Sequence, residues 1–113
     1  MDAATLLAIA EPNRINIIEL LRNVGALTLG EIAGRLGLRL PQSSKHMRVL
    51  ADAGIVQVQA DANRRIFQLR QEPFIELDHW AKSFIQVKEE QYDRFDALLQ
   101  KVKQQKLNEQ KGE

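Results

Sequence analysis

The sequence predicts a mainly α-helical fold carrying one β-hairpin, in the order ααααββα, with a long helix at its C-terminal end. Three observations carry this reading. Apolar residues recur at three- and four-residue spacing through most of the 113 residues. The period changes to alternation at Ile55, Val56, Gln57, Val58 and Gln59, and β-branched and aromatic residues return at Ile66, Phe67, Gln68 and Leu69. After Pro73 the helical series runs longer than any before it.

Taken in order, residues 2–10 predict a short helix with Leu6, Leu7 and Ile9 turned inward. Glu11 and Pro12 break it and open a second helix, since proline suits a first turn. From Pro12 to Arg22, the residues Ile15, Ile18, Leu20 and Leu21 recur at helical spacing. Gly25 turns a loop over residues 23–27. Thr28 and Glu31 stand at the spacing of a capping box and open a third helix over 29–36. Leu29, Ile32, Ala33 and Leu36 share one of its faces, and Gly37 ends it. Leu38, Arg39 and Leu40 connect tightly to a fourth helix over 41–53.

That fourth helix organises the chain. Pro41 begins it, Gly54 stops it, and Met47, Leu50 and Ala53 make a narrow apolar stripe. Gln42, Ser44, Lys45 and Arg48 lie on other faces, toward its start. Short polar and basic residues there suit a major groove, where side chains reach base edges while Lys and Arg meet phosphates. Alone, the helix reads equally as an ordinary amphipathic surface helix. Its context decides otherwise. Two short helices joined by a glycine turn make a helix-turn-helix, and the hairpin that follows has a basic tip over Asp61–Arg65, which is a wing. Asn63, Arg64 and Arg65 at the tip are placed to reach phosphate or an adjacent minor groove.

Beyond Pro73, the residues Phe74, Leu77, Trp80, Ala81 and Phe84 form a broad apolar face. Ile85, Lys88, Tyr92, Phe95, Leu99 and Val102 then continue at heptad-like spacing, in one helix or two reaching about residue 105. Such a face is too apolar to stay wet on a small domain. It is expected to pack on the first helix or against a second copy of the chain. A homodimer follows, with Leu6, Leu7, Trp80, Phe84, Ile85, Tyr92, Phe95, Leu99 and Val102 at its interface; an intramolecular core is the alternative. The expected organisation is a single domain over 1–105 and a disordered polar tail over 106–113.

Formal net charge is only +1, but it is unevenly distributed. From Arg35 to Arg70, seven basic residues face two acids, giving +5, while the rest of the chain sums to −4. A basic middle in an acidic frame is the footprint of a nucleic-acid-binding face, so double-stranded DNA is the expected partner. The chain has no cysteine, which excludes disulfides and thiolate metal chemistry. No apolar run is long enough to cross a membrane, and no signal-peptide pattern opens the chain, so a soluble cytoplasmic protein is expected. Nothing points to an enzyme: no nucleophile stands by a base, no glycine-rich loop follows a strand, and the two histidines are 33 positions apart.

The chain also resembles the ArsR/SmtB-type bacterial transcriptional regulators over roughly residues 3–100. The resemblance rests on Glu11-Pro12-Asn13-Arg14, on Ser44-Lys45-His46 with Arg48-Val49-Leu50, and on Ala53-Gly54-Ile55-Val56 leading into the wing. Pro73-Phe74, Leu77-Asp78 and Trp80 look like a branch with a long C-terminal dimerisation helix. The resemblance implies a winged helix-turn-helix homodimer that represses transcription from an inverted-repeat operator and is relieved by a signal. It also implies DNA contact by positions 42–46. Base reading then falls to Gln42, Ser43, Ser44 and His46, and phosphate contact to Arg39, Lys45, Arg48, Arg64 and Arg65. Two positions depart from the pattern. Arg39 and Leu40 stand where a polar residue and Gln are usual, leaving no N-cap oxygen, and Ser43 replaces a common inward aliphatic residue.

Relatives that sense metals use cysteine in the third helix or a histidine pattern in the C-terminal one. This chain lacks the first, and its Asp78-His79-Trp80 sets the histidine one position out of place with no second histidine after it. No metal or other cofactor is expected. A small-molecule inducer, a partner protein or no signal at all stay open. A winged helix serving only as a protein-interaction module is the alternative function, and the +5 segment argues against it.

Overall fold

A computed structural model describes residues 1–85 and 89–111. Its elements are α1 (Ala3–Ile9), α2 (Pro12–Val24), β1 (Leu27–Thr28), α3 (Leu29–Leu36), α4 (Leu40–Asp52), β2 (Val56–Asp61), β3 (Arg64–Leu69), α5 (Glu72–Ile85) and α6 (Glu89–Lys111). The mainly helical order with a hairpin wing matches the sequence expectation, with one added strand. The described residues fall into two compact units, Met1–Asp78 and His79–Glu113, where the sequence suggested one domain to residue 105.

Local chemistry sets the helix ends of the first unit. The Asp2 carboxylate accepts from the Ala4 amide, and the Glu11 carboxylate accepts from Arg14 N at 2.8 Å, capping α1 and α2. Thr28 and Glu31 complete a reciprocal capping box on α3. Gly37 at φ +66° closes α3 in the left-handed region that favours glycine. Gly54 at φ +74° does the same after α4, and Arg70 Nη1 donates to its carbonyl at 3.0 Å.

Burial selects a different set of residues in α1 and α2 than spacing suggests. Ala8 is the buried residue of α1, Leu6 and Ile9 are half-buried, and Leu7 is exposed. In α2, Ile17, Ile18 and Leu21 are buried while Ile15 is exposed. They join Leu27, Ile32, Met47, Leu50, Ile55, Val56 and Phe67 in one core, with Phe74 packed against its edge. Full burial of a residue such as Leu50 or Ile32 contributes about 1.5–3 kcal/mol each.

The three-stranded sheet has the order β1-β3-β2, all antiparallel. Leu27 pairs with Phe67, so the short β1 ties the base of the wing to the start of α3. In the hairpin, Val56 pairs with Leu69 and Asp61 with Arg64. The strands therefore run nearly to the tip, and only Ala62 and Asn63 turn between them, not the five-residue loop expected. Ala62 carries φ +55°, a conformation in which a Cβ is unfavourable.

The second unit contains the end of α5 and all of α6. Trp80 and Phe84 meet edge to face, with ring centroids 5.1 Å apart. Residues 106–111, expected to be disordered, continue α6 as helix. Their Lys, Leu, Glu and Gln content favours helix, and this outweighs their polarity. Lys88 of the heptad-like series lies outside the described residues. Among the described residues, no helix is long and apolar enough to cross a membrane.

Candidate nucleic-acid interface

The interface is built on α4. Ser43, Met47 and Leu50 follow one another at i, i+4 and i+7 and are buried against the core. That fixes the rotation of the helix and turns Gln42, Ser44, Lys45 and Arg48 outward, all exposed. At its start, Arg39 occupies the N-cap in extended conformation, and its side chain makes no capping hydrogen bond to the first turn. The exposed Arg39 thus stands beside uncapped amides, an arrangement that favours an anion.

The wing completes the surface. Ser44, Met47 and Arg48 of α4 share a groove of about 420 Å³ with Val58, Arg65 and Phe67 of the hairpin. A second groove of about 480 Å³ runs between the tip residues Asn63, Arg64 and Arg65, the start of α3 at Thr28, Leu29 and Gly30, and Leu40. Arg64 pairs with Asp61 at 3.4 Å, both side chains being well exposed, so the pair is weak and easily exchanged for a phosphate. Arg39, Gln42, Ser44, Lys45, Arg48, Asn63, Arg64 and Arg65 are therefore all exposed on the helix and wing.

Two expected base readers are not. Ser43 is wholly buried, and among the described residues its hydroxyl has no hydrogen-bond partner. It lies on the stripe of Met47 and Leu50 and points into the core, so it is removed from the base-reading set. His46 is also held inside the chain, its side chain only 15% exposed. Its Nδ1 lies 3.3 Å from Arg14 Nη1 and 3.7 Å from the Glu11 carboxylate. Arg14 in turn donates through Nε to the Ala8 carbonyl and through Nη2 to the Leu7 carbonyl. His46 therefore anchors α4 to the α1–α2 corner. Glu11 and Arg14, read from the sequence only as a helix opening, are what position the reading helix from behind. The one signal for this was their place in the Glu11-Pro12-Asn13-Arg14 motif.

Among the described residues, no three His, Asp or Glu side chains converge as metal ligands.

Comparison with known proteins agrees with this geometry. A helix-turn-helix domain family matches residues 9–59, which span α2 to the wing. The HTH-type transcriptional regulator YgaV of Escherichia coli (strain K12) is 30% identical over 70 residues, covering 62% of this chain and 71% of that protein. The crystal structure of an ArsR family transcriptional regulator superimposes with a TM-score of 0.67 at 25% identity, covering 74% of this chain and 86% of that one. A homodimeric winged helix-turn-helix DNA-binding domain from Mycobacterium bovis shares the fold, with a TM-score of 0.60 at 22% identity over 77% of this chain and 83% of that one. The first two of these are named as transcriptional regulators. With its wing, its outward-facing α4 and its cysteine-free sequence, the chain belongs to the ArsR-type winged helix-turn-helix DNA-binding transcriptional regulators, in a branch without the cysteine metal site.

Proposed function

We propose that the protein is a homodimeric repressor that reads an inverted-repeat operator in double-stranded DNA. The observation that carries this is the division of α4 into a buried stripe and an exposed polar and basic arc continuous with the wing arginines. In this reading Gln42 and Ser44 meet base edges in the major groove, while Arg39, Lys45 and Arg48 hold phosphates. Asn63, Arg64 and Arg65 of the wing tip reach the flanking backbone or minor groove.

Dimerisation supports itself on the exposed apolar side chains. Leu7, Trp80, Phe84, Ile85, Tyr92, Phe95, Leu99 and Val102 are all exposed in the single chain, and Leu6 is half-buried. A second copy would cover them, and the related M. bovis domain is described as homodimeric. Repression follows the family resemblance, since a dimer seated on a promoter excludes polymerase. A relieving small molecule with an apolar body would be sought in the cavity of about 510 Å³ lined by Ile18, Leu69, Phe74 and Ile75 together with Arg22, Arg70 and Asp78.

The test is a gel-shift titration against the DNA upstream of the protein's own gene, with random DNA as control and salt varied. Selective binding with a dimer-sized shift is expected. Lys45→Ala should weaken binding to both DNAs and reduce the salt slope by about 1. Equal affinity for both DNAs would contradict operator reading, and no binding at low salt would favour a protein-interaction module.

A further inference from the structure

Histidine changes charge between about pH 5 and 8. The chain has two, His46 and His79. His79 is exposed on α5, whereas His46 is held behind the reading helix with its side chain 15% exposed. Its surroundings fix the form it takes. Arg14 Nη1 lies 3.3 Å from His46 Nδ1. A guanidinium can only donate, so Nδ1 must be bare and accept, which leaves the ring neutral with its proton on Nε2.

Protonation reverses that contact. An Nδ1–H would face a guanidinium N–H, donor against donor and cation against cation. Arg14 is not free to withdraw, because its Nε and Nη2 donate to the Ala8 and Leu7 carbonyls of α1. The Glu11 carboxylate stands 3.7 Å from Nδ1, too far to share the neutral ring's contact but placed to draw the charged ring toward it. Among the described residues, Arg14 and Glu11 are the charged groups within ion-pair or hydrogen-bond distance of the ring. Glu19 and Arg22 of α2, Glu31 and Arg35 of α3 and Asp61 of β2, on elements packed against α4, make no contact with it. Neither do Lys45, Arg48 and Asp52 of α4 itself.

We infer that His46 makes operator binding pH-sensitive: the neutral ring locks α4 to Arg14, and the protonated ring releases it. The inference rests on the DNA reading above and adds the proton as a signal that relieves binding.

The test is fluorescence anisotropy at fixed salt from about pH 7.5 to about pH 5.5, on the upstream DNA and on random DNA. Wild type, His46→Asn and His79→Asn are compared as full chains. Asparagine keeps a carbonyl oxygen as an acceptor and cannot titrate. The preference of wild type and His79→Asn for the upstream DNA should fall about tenfold as pH drops, while that of His46→Asn stays level. A level preference in the wild type, or an equal fall in His46→Asn, would overturn the inference and leave operator reading standing. Equal affinity for both DNAs at every pH would overturn both. If His46→Asn does not fold, nitrogen-15 spectra of the wild-type ring decide instead. They should show a bare Nδ1 that gains its proton over the interval in which affinity falls. A proton on Nδ1 throughout, or none gained, would overturn the inference.

Discussion

Ser43 is the residue where side-chain type and helical period disagree. Its hydroxyl reads as a group for DNA, but its position, four before Met47 and seven before Leu50, lies on the buried stripe. Period wins, because rotating α4 to expose Ser43 would pull Met47 and Leu50 out of the core. The hydroxyl is left buried without a partner among the described residues, a cost of about 1–3 kcal/mol relative to a satisfied group. Ser43→Ala should therefore raise stability by about 1 kcal/mol, seen as a higher urea midpoint with unchanged slope, and leave DNA affinity alone. A loss of stability would show that the hydroxyl makes a bond. His46 follows the same logic, lying beside the stripe, four before Leu50, where its ring turns to Arg14 and Glu11. Gln42, Ser44, Lys45 and Arg48 were legible from the sequence because type and period agree for them.

At the scale of elements, strong local signals were legible and pairings at a distance were not. Thr28 and Glu31 announce α3, and its bounds fall where the capping box and Gly37 place them. By contrast β1 has two residues, too few to show a period, and exists only because β3 pairs with it. The wing was legible as a hairpin, but its two-residue turn was not, since Ala62 in a left-handed conformation is not a residue that signals one. The capping box also makes a pH prediction. The Thr28 hydroxyl and then its backbone N–H donate to Glu31, and with Arg35 and Arg64 nearby they hold its carboxyl below its ordinary value of 4.5. A lowered folded value means the charged form is favoured on folding. The contribution is complete above about pH 4.5 and fades as pH falls through the lowered folded value. Glu31→Gln should be less stable than the wild type at neutral pH, and the gap should narrow as pH drops below 4.5 in denaturant titrations. Parallel pH profiles would contradict the cap's charge dependence.

For the whole molecule, the uneven charge and the fold point the same way. The +5 segment from Arg35 to Arg70 supplies the exposed arc of α4 and the wing, and the acidic remainder supplies the helices behind and after them. The inward anchor at Arg14 was not legible in composition, because it depends on which elements become neighbours. A reading helix held from behind by Ser43, Met47, Leu50 and the Arg14–His46 contact presents a fixed set of outward side chains. Base preference should then depend on those side chains alone. The most direct measurement is the affinity of wild type and Gln42→Ala for the upstream site and for versions substituted at each base pair of one half-site. Gln42→Ala should lose about 1–3 kcal/mol of discrimination at one base step and keep it elsewhere. An unchanged preference at every position would contradict the placement of α4 in the major groove.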